Sequence, residues 1–395
     1  MIRRNFLYII FITIIGAGSM GTFFLNSTFF SKLYYKIKDR INPPTGPKPD
    51  SARAIAILPE EGSKISIETA LNSRCTSDYD DIPQHFHWGM FDKTRKLTSE
   101  QIMKIMKHAK IPRFTDYRTE IRNEQNMLMF IIDNQASGIS RSWLMVENGM
   151  QQQAIGLVCS ALGVGMVFSS FGSNRPAASD DNHVTTRIKL DPMKPSYEGA
   201  FWTTQAPSGP KTWLKGNLPD PARSGQNSLL ETLAGLQTHH DGRNNFSEQT
   251  LSQLLWAARG RTPHYYKSEP WGLTIPTNRG EQNISSIYVI SNKQASQYIN
   301  WSKNRPAHSL KEINTTDTSA WNSIIGLFPA AKYFLIITKN IDTDWAYWET
   351  GYQLLNVLLQ AKALDISYGA ALLKENQIKT LQTSGINSAV AVIGI

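Results

Sequence analysis

Two stretches of this 395-residue chain say nearly the same thing: ENGMQQQAIGLVCSALGVGM at residues 147–166 and ETGYQLLNVLLQAKALDISY at residues 349–368. At an offset of 202, Glu147, Gly149, Gln151, Leu157, Ala161 and Leu162 fall on identical residues at Glu349, Gly351, Gln353, Leu359, Ala363 and Leu364, while Ile155 and Val164 fall on Val357 and Ile366. Each stretch has the apolar spacing of a helix, which unrelated helices share, so the order of neighbouring segments must decide. LTSEQIMKIMKHA (97–109) precedes the first copy and FSEQTLSQLLWAA (246–258) the second, both opening on a Ser/Thr cap followed by Glu or Gln and both read as surface helices. Strands are expected between helix and copy at MLMFIIDN (127–134) and SSIYVISN (285–292), and SIETALN and SLLETLA stand upstream. Four segments in one order, twice, predict a tandem repeat. The second copy carries an insertion, residues 294–327, read as helix-rich, followed by a strand at AKYFLIITKN.

Composition is that of a globular protein, 41% hydrophobic and 18% charged. The net charge of +9 does not point to nucleic acid. Residues 1–50 hold Arg3, Arg4, Lys32, Lys36, Lys38, Arg40 and Lys48 against Asp39 and Asp50, a net +5, and the remaining +4 is spread without a basic run. Two cysteines, Cys75 and Cys159, exclude a disulfide framework and a CxxC zinc site, and are read as separate thiols rather than one bridge.

From Phe6 to Phe30 no residue is charged, and FLYIIFITIIGAGSMGTFFL is long enough to span a bilayer. Arg3, Arg4, Phe6 and Leu7 stand in the order of a twin-arginine export signal, with Ile2 and Tyr8 departing from it; an ordinary signal anchor is the preferred reading. No A-x-A site follows the run, so membrane anchoring with an extracytoplasmic, periplasmic body is expected. Residues 31–63, containing INPPTGPKPDSAR, read as a Pro-rich linker.

The second half resembles the nitroreductase-like flavoprotein family, closest to its SagB-type azoline oxidase and dehydrogenase branch, in LSQLLWAARGRTP (251–263), GLTIPTNRGEQNISSIYVIS (272–291), the second glutamine helix and AVAVIGI (389–395). It covers nearly all of residues 228–395 and, more weakly, 64–172. The resemblance implies an α+β fold, a mixed sheet flanked by helices, and FMN held in the interface of an obligate dimer. The tandem repeat, 64–220 and 221–395, then reads as a dimer fused into one chain that is a monomer as a chain.

The resemblance also implies site residues. Where the family offers the flavin phosphate an Arg-Arg-Ser-x-Arg run, this chain has Ser73, Arg74, Cys75 and Ser77; the second copy has His239, His240 and Arg243. The partner segment over the flavin ring is matched by Pro276, Thr277, Arg279 and Gln282, with nothing comparable in the first copy. Arg187 and Lys189 in the strand RIKL are expected as further phosphate contacts. A glycine-rich loop with Gly163, Gly165 and Gly172 is expected at the flavin edge, Gly369 being its counterpart in the second copy. One composite flavin site per chain, and a vestigial second, follow. FMN brings the hydride chemistry, and the protein must hold a dianion and cover a ring. The residues themselves equally allow Arg74 to pair with Glu68 or Asp78, and the glycines merely to end a helix.

The activity so implied is two-electron, ping-pong transfer between an electron donor, NAD(P)H or another, and a small-molecule or peptide substrate. The competing reading is a flavin-free membrane-tethered binding or scaffolding module. His85 and His87 are read as a loop pair rather than a metal site, and His239-His240-Asp241 as a solvated turn. Tyr265, Tyr266, Trp271 and Trp301 read as a substrate pocket or as core. No GxSxG, Walker A or HExxH motif occurs.

Overall fold

A computed structural model describes residues 53–58, 65–72, 92, 94–116, 120–124, 127–133, 140–171, 182–193, 214, 216–262, 272–276, 284–291, 294–303, 305–314 and 321–395. The first strands and helices are β1 (Ala54–Ile55), α1 (Ile67–Asn72), β2 (Arg95–Lys96), α2 (Ser99–His108), β3 (Glu120–Glu124), β4 (Met127–Asp133), α3 (Arg141–Leu162), β5 (Val164–Phe171) and β6 (Asn182–Pro192). Then come α4 (Leu229–Ala234), β7 (His239–His240), α5 (Glu248–Arg259), β8 (Arg261–Thr262), β9 (Gly272–Leu273), β10 (Ser285–Ser291), β11 (Gln294–Ser302) and β12 (Arg305–Ile313). The chain closes with α6 (Asn322–Ile325), β13 (Tyr333–Lys339), α7 (Asp344–Ala363), β14 (Tyr368–Leu372), α8 (Glu375–Thr383) and β15 (Ala389–Gly394). Residues 54–395 form one compact unit.

Two larger sheets organise this α+β unit: β3-β4-β6-β5, and β12-β11-β10-β13-β15-β14-β7. Every pairing in both is antiparallel, which corrects the expected mixed sheet. The run β10-β13-β15-β14 has the same order of connections as β3-β4-β6-β5: in each, one strand leads into a glutamine helix and the strand after that helix lies at the far side. By this topology β4 takes the place of β13, and β3 that of β10, so the sequence pairing of MLMFIIDN with SSIYVISN is off by one strand. Residues 294–327 are likewise not helix-rich. Their described residues form the hairpin β11–β12 and the single turn α6.

Alternation along β13 explains why the larger sheet is covered on both faces. Leu335 and Ile337 join the main core with α7, while Phe334 and Ile336 face a second cluster with Trp321, Ile324 and Leu381 from the α6 and α8 layer. The main core runs through both halves of the chain, taking Ile67, Phe130, Met150 and Leu157 from one and Trp256, Tyr352 and Leu358 from the other.

At its centre α3 crosses α7. An added Cβ at Gly149 would sit 2.4 Å from the Trp348 carbonyl oxygen, and one at Gly351 would sit 2.1 Å from that of Val146. Only glycine permits so close a backbone approach. Almost all of each helix is buried, and their polar residues with them. Near one end of the crossing, Ser66 forms an antiparallel bridge with Ser228, and the Leu229 N–H donates to the Ile65 carbonyl at 3.0 Å. The expected surface helix 97–109 is α2, with Ile102 and Ile105 buried and a complete capping box from Thr98 to Gln101. Its expected counterpart α5 is no surface helix: from Leu251 to Arg259 every residue is buried.

Candidate functional site

The crossing helices build the site region from amides. Gln153 donates to the Thr274 carbonyl at 3.2 Å and to Asn356 Oδ1 at 3.0 Å, and Asn356 Nδ2 donates to the Ala257 carbonyl at 3.0 Å. Asn148 donates to Thr185 Oγ1 at 2.7 Å, and the Tyr352 hydroxyl to Gln152 Oε1 at 2.6 Å. Buried amides without partners would each cost a desolvation penalty, so the glutamine run is a satisfied internal lane joining both halves. Through Gln153 it reaches the segment following β9, whose Thr274 N–H also donates to Gly260 at 3.0 Å. Pro276 ends that described segment.

A carboxylate stands near the start of each helix's buried part. Glu147 accepts from the N–H groups of Phe114 and Thr115 at 2.6 and 2.8 Å and from the Thr115 hydroxyl at 2.9 Å, with Arg113 at 3.5 Å. Glu349 is held by Arg259 and, at 2.8 Å, by the Ser285 hydroxyl. Arg259 and Glu349 are both almost fully buried.

Of the sequence-predicted site residues, Gly163, Gly165, Arg187 and Lys189 are spread along the β5–β6 pair, with Gly165 opposite Asp191 and Arg187 opposite Ser170. Gly163 caps α3 in the left-handed region, φ 69°, its N–H bonded to the Cys159 carbonyl; Gly165, in β5, pairs with Asp191 of β6. The expected glycine-rich loop is thus largely strand β5, and Gly163 ends a helix. Arg187, Lys189 and Asp191 alternate with the buried Thr186, Ile188 and Leu190 and so occupy the opposite face of β6. Lys189 Nζ is 2.8 Å from Asp191 Oδ2, so its charge is already matched. Gly369 has a packing role instead: a Cβ there would lie 2.6 Å from the Phe328 ring. Arg74, Cys75, Ser77, Gly172, Thr277, Arg279 and Gln282 lie outside the described residues, as do His85, His87, Tyr265, Tyr266, Trp271 and the whole expected anchor. Trp301 lies under the Arg261 guanidinium, 4.5 Å from ring centroid to Cζ. Cys159 is fully buried.

His239 and His240 form the edge strand β7 on β14, not a solvated turn. Beside them a pocket of about 480 Å³ opens at the C-terminal end of α7, lined by Asn227, Glu231, Thr232, Arg243, Lys362 and Asp365 among others. Asp365 pairs with Arg243 at 2.9 Å and lies 3.3 Å from His240 Nε2.

A buried polar chain was not anticipated. The Tyr298 hydroxyl lies 2.8 Å from His308 Nδ1, and His308 Nε2 lies 2.6 Å from Ser252 Oγ, whose hydroxyl reaches the Pro219 carbonyl. Burial lowers the His308 pKa to about 4, opposed by the Pro219 carbonyl, and raises that of Tyr298 against the pull of Arg261. A neutral imidazole with a tyrosine donor at Nδ1 satisfies every member: Nε2–H donates to Ser252, which donates to Pro219. The side chains linked in this way come from α5 and the β11–β12 hairpin, and no local motif marks them. Among the described residues no cluster of His, Cys, Asp or Glu could hold a metal ion, and no helix is long and apolar enough to cross a membrane.

No protein-family model matches the chain, and no curated protein matches it. Among solved structures, a candidate nitroreductase from Anabaena variabilis ATCC 29413 aligns with a TM-score of 0.44 at 9% identity, covering 68% of each chain. A candidate nitroreductase from Ralstonia eutropha JMP134 aligns with a TM-score of 0.35 at 20% identity over 45% of this chain and 87% of that one. Scores this low decide nothing about family or chemistry, which must be reasoned from the residues.

Proposed function

We propose that the chain is an FMN-dependent oxidoreductase of nitroreductase-like type, related to the SagB-type branch, in which two fused copies of one domain form a pseudo-dimer around a single flavin site. The observation that carries this reading is the docking of the segment ending in Pro276, from the second half, on the glutamine helix of the first through Gln153 and Thr274. A flavin site shared between two subunits needs such a crossing of segments. The pseudo-dimer is further supported where elements meet their own counterparts: Gly149 and Gly351 at the helix crossing, Ser66 bridged to Ser228.

When bound, FMN would supply the two-electron chemistry. Arg74, with Cys75 and Ser77, would hold its phosphate, aided by Arg187 and Lys189. Pro276, Thr277, Arg279 and Gln282 would cover the ring, and Gly163, Gly165 and Gly172 would leave its edge unobstructed. NAD(P)H or another donor, and a small-molecule or peptide substrate, complete the ping-pong scheme. The N-terminal run would tether the protein to a membrane with the body on the periplasmic side.

The visible spectrum of the full-length protein purified in detergent tests this. The two-band absorbance of oxidised flavin at one equivalent per chain is expected, with Arg74→Ala weakening retention at least about tenfold, as expected for loss of a charge-assisted phosphate contact, and Arg243→Ala leaving it unchanged. A colourless protein that takes up no added FMN refutes the enzyme reading and leaves the flavin-free binding module.

A further inference from the structure

The two ends of the crossing helices differ at matched positions. At the offset of 202, Gly163 corresponds to Asp365 and Gly165 to Ser367. Gly163 and Asp365 share the left-handed backbone, φ 69° and 54°, a conformation free to glycine and tolerated by aspartate. After α3 these two positions carry no side chain. After α7 both side chains reach across to the segment following β7. Asp365 takes Arg243 and neighbours His240, while the Ser367 hydroxyl accepts from the Gly242 N–H at 2.9 Å and donates to the Gly242 carbonyl at 2.6 Å. The backbones are stitched as well, the Arg243 N–H donating to the Asp365 carbonyl at 2.7 Å and the Ser367 N–H to that of Arg243 at 3.2 Å. The cation that would meet a phosphate in this second end is therefore matched internally, and a carboxylate stands beside it in the pocket of about 480 Å³.

We propose that Asp365, seconded by Ser367, closes the second end of the pseudo-dimer to phosphate monoesters and is thus the residue that limits the chain to one flavin. This rests on reading the two halves as copies of one site. A dianion placed at Arg243 would lie within a few ångströms of the Asp365 carboxylate, and removing that charge should tighten phosphate binding at least about tenfold. Calorimetric titration of the full-length protein with inorganic phosphate provides the test, with Asp365→Asn, which keeps a residue tolerant of the left-handed backbone, and Asp365→Gly, which restores the first copy's residue. Both variants should gain phosphate binding that is lost again when Arg243→Ala is added, and the parent should show none that depends on Arg243. Arg243-dependent phosphate binding by the parent, or no gain in either folded variant, overturns the proposal. Flavin content is measured separately, so a chain that holds no FMN refutes the flavin reading while the phosphate titration still decides the role of Asp365.

Discussion

Glu147 and Glu349 occupy the same place on two crossing helices, and each is sunk in the interior, but the cations beside them differ: Arg113 is partly exposed and Arg259 is buried. The first rests on two backbone N–H groups and a hydroxyl, with Arg113 at 3.5 Å and 30% exposed. Among the described residues, the second is held by the buried Arg259 guanidinium and the Ser285 hydroxyl. Local backbone can solvate a carboxylate without importing a second charge. A carboxylate solvated by a buried cation is coupled to it, since removing either strands the other.

The sharpest break of this contrast is Arg259→Ala. It removes the buried cation beside Glu349 and should destabilise the protein by about 3–5 kcal/mol in denaturant titration. Acid comes next, because the second half also holds the buried His308. Its pKa is lowered in the fold, so between pH 6.5 and about 4 the unfolded chain binds a proton that the folded chain does not. The full contribution is present above pH 6.5 and about 3 kcal/mol is lost as pH falls to 4. Denaturation measured against pH should show this slope, and His308→Gln should flatten it; a slope unchanged in the variant would assign it to other groups. Gly351→Ala and Gly149→Ala should each cost about 1–3 kcal/mol by overpacking at the helix crossing, and a large inequality between them would break the near-symmetry there. The smallest effect belongs to Arg113→Ala, below about 1 kcal/mol, since Glu147 keeps its backbone donors. Equal losses at Arg113 and Arg259 would refute the contrast.

Much of this architecture was legible in the residues. The capping pattern Thr98 to Gln101, the two glutamine helices and the strands of β4, β10, β13 and β15 all follow from local periodicity and caps. The hairpin β11–β12 did not, because Gln, Ala, Leu, Lys and Glu favour helices while its irregular burial is set by tertiary neighbours. The strand correspondence slipped for a related reason: two similar apolar runs, β10 and β13, compete for one partner, and only pairing order distinguishes them. At the candidate site, the resemblance set His239, His240 and Arg243 opposite the family's phosphate run in a second site expected to be vestigial. The pairing of Arg243 with Asp365 joins positions 122 apart and has no local signature. The burial of α5 was equally hidden, since an amphipathic stripe does not reveal whether its polar face will also be covered.

The glycine crossing has a consequence for how the chain is made. α3 is buried along nearly its whole length, and much of what covers it is α7, encoded about two hundred residues later. At a synthesis rate of roughly 5–20 residues per second, the first helix waits about 10–40 s before its mate emerges. Throughout that interval its apolar stripe and unpaired amides lack their final partners, so the nascent first half is a natural client for a holding chaperone.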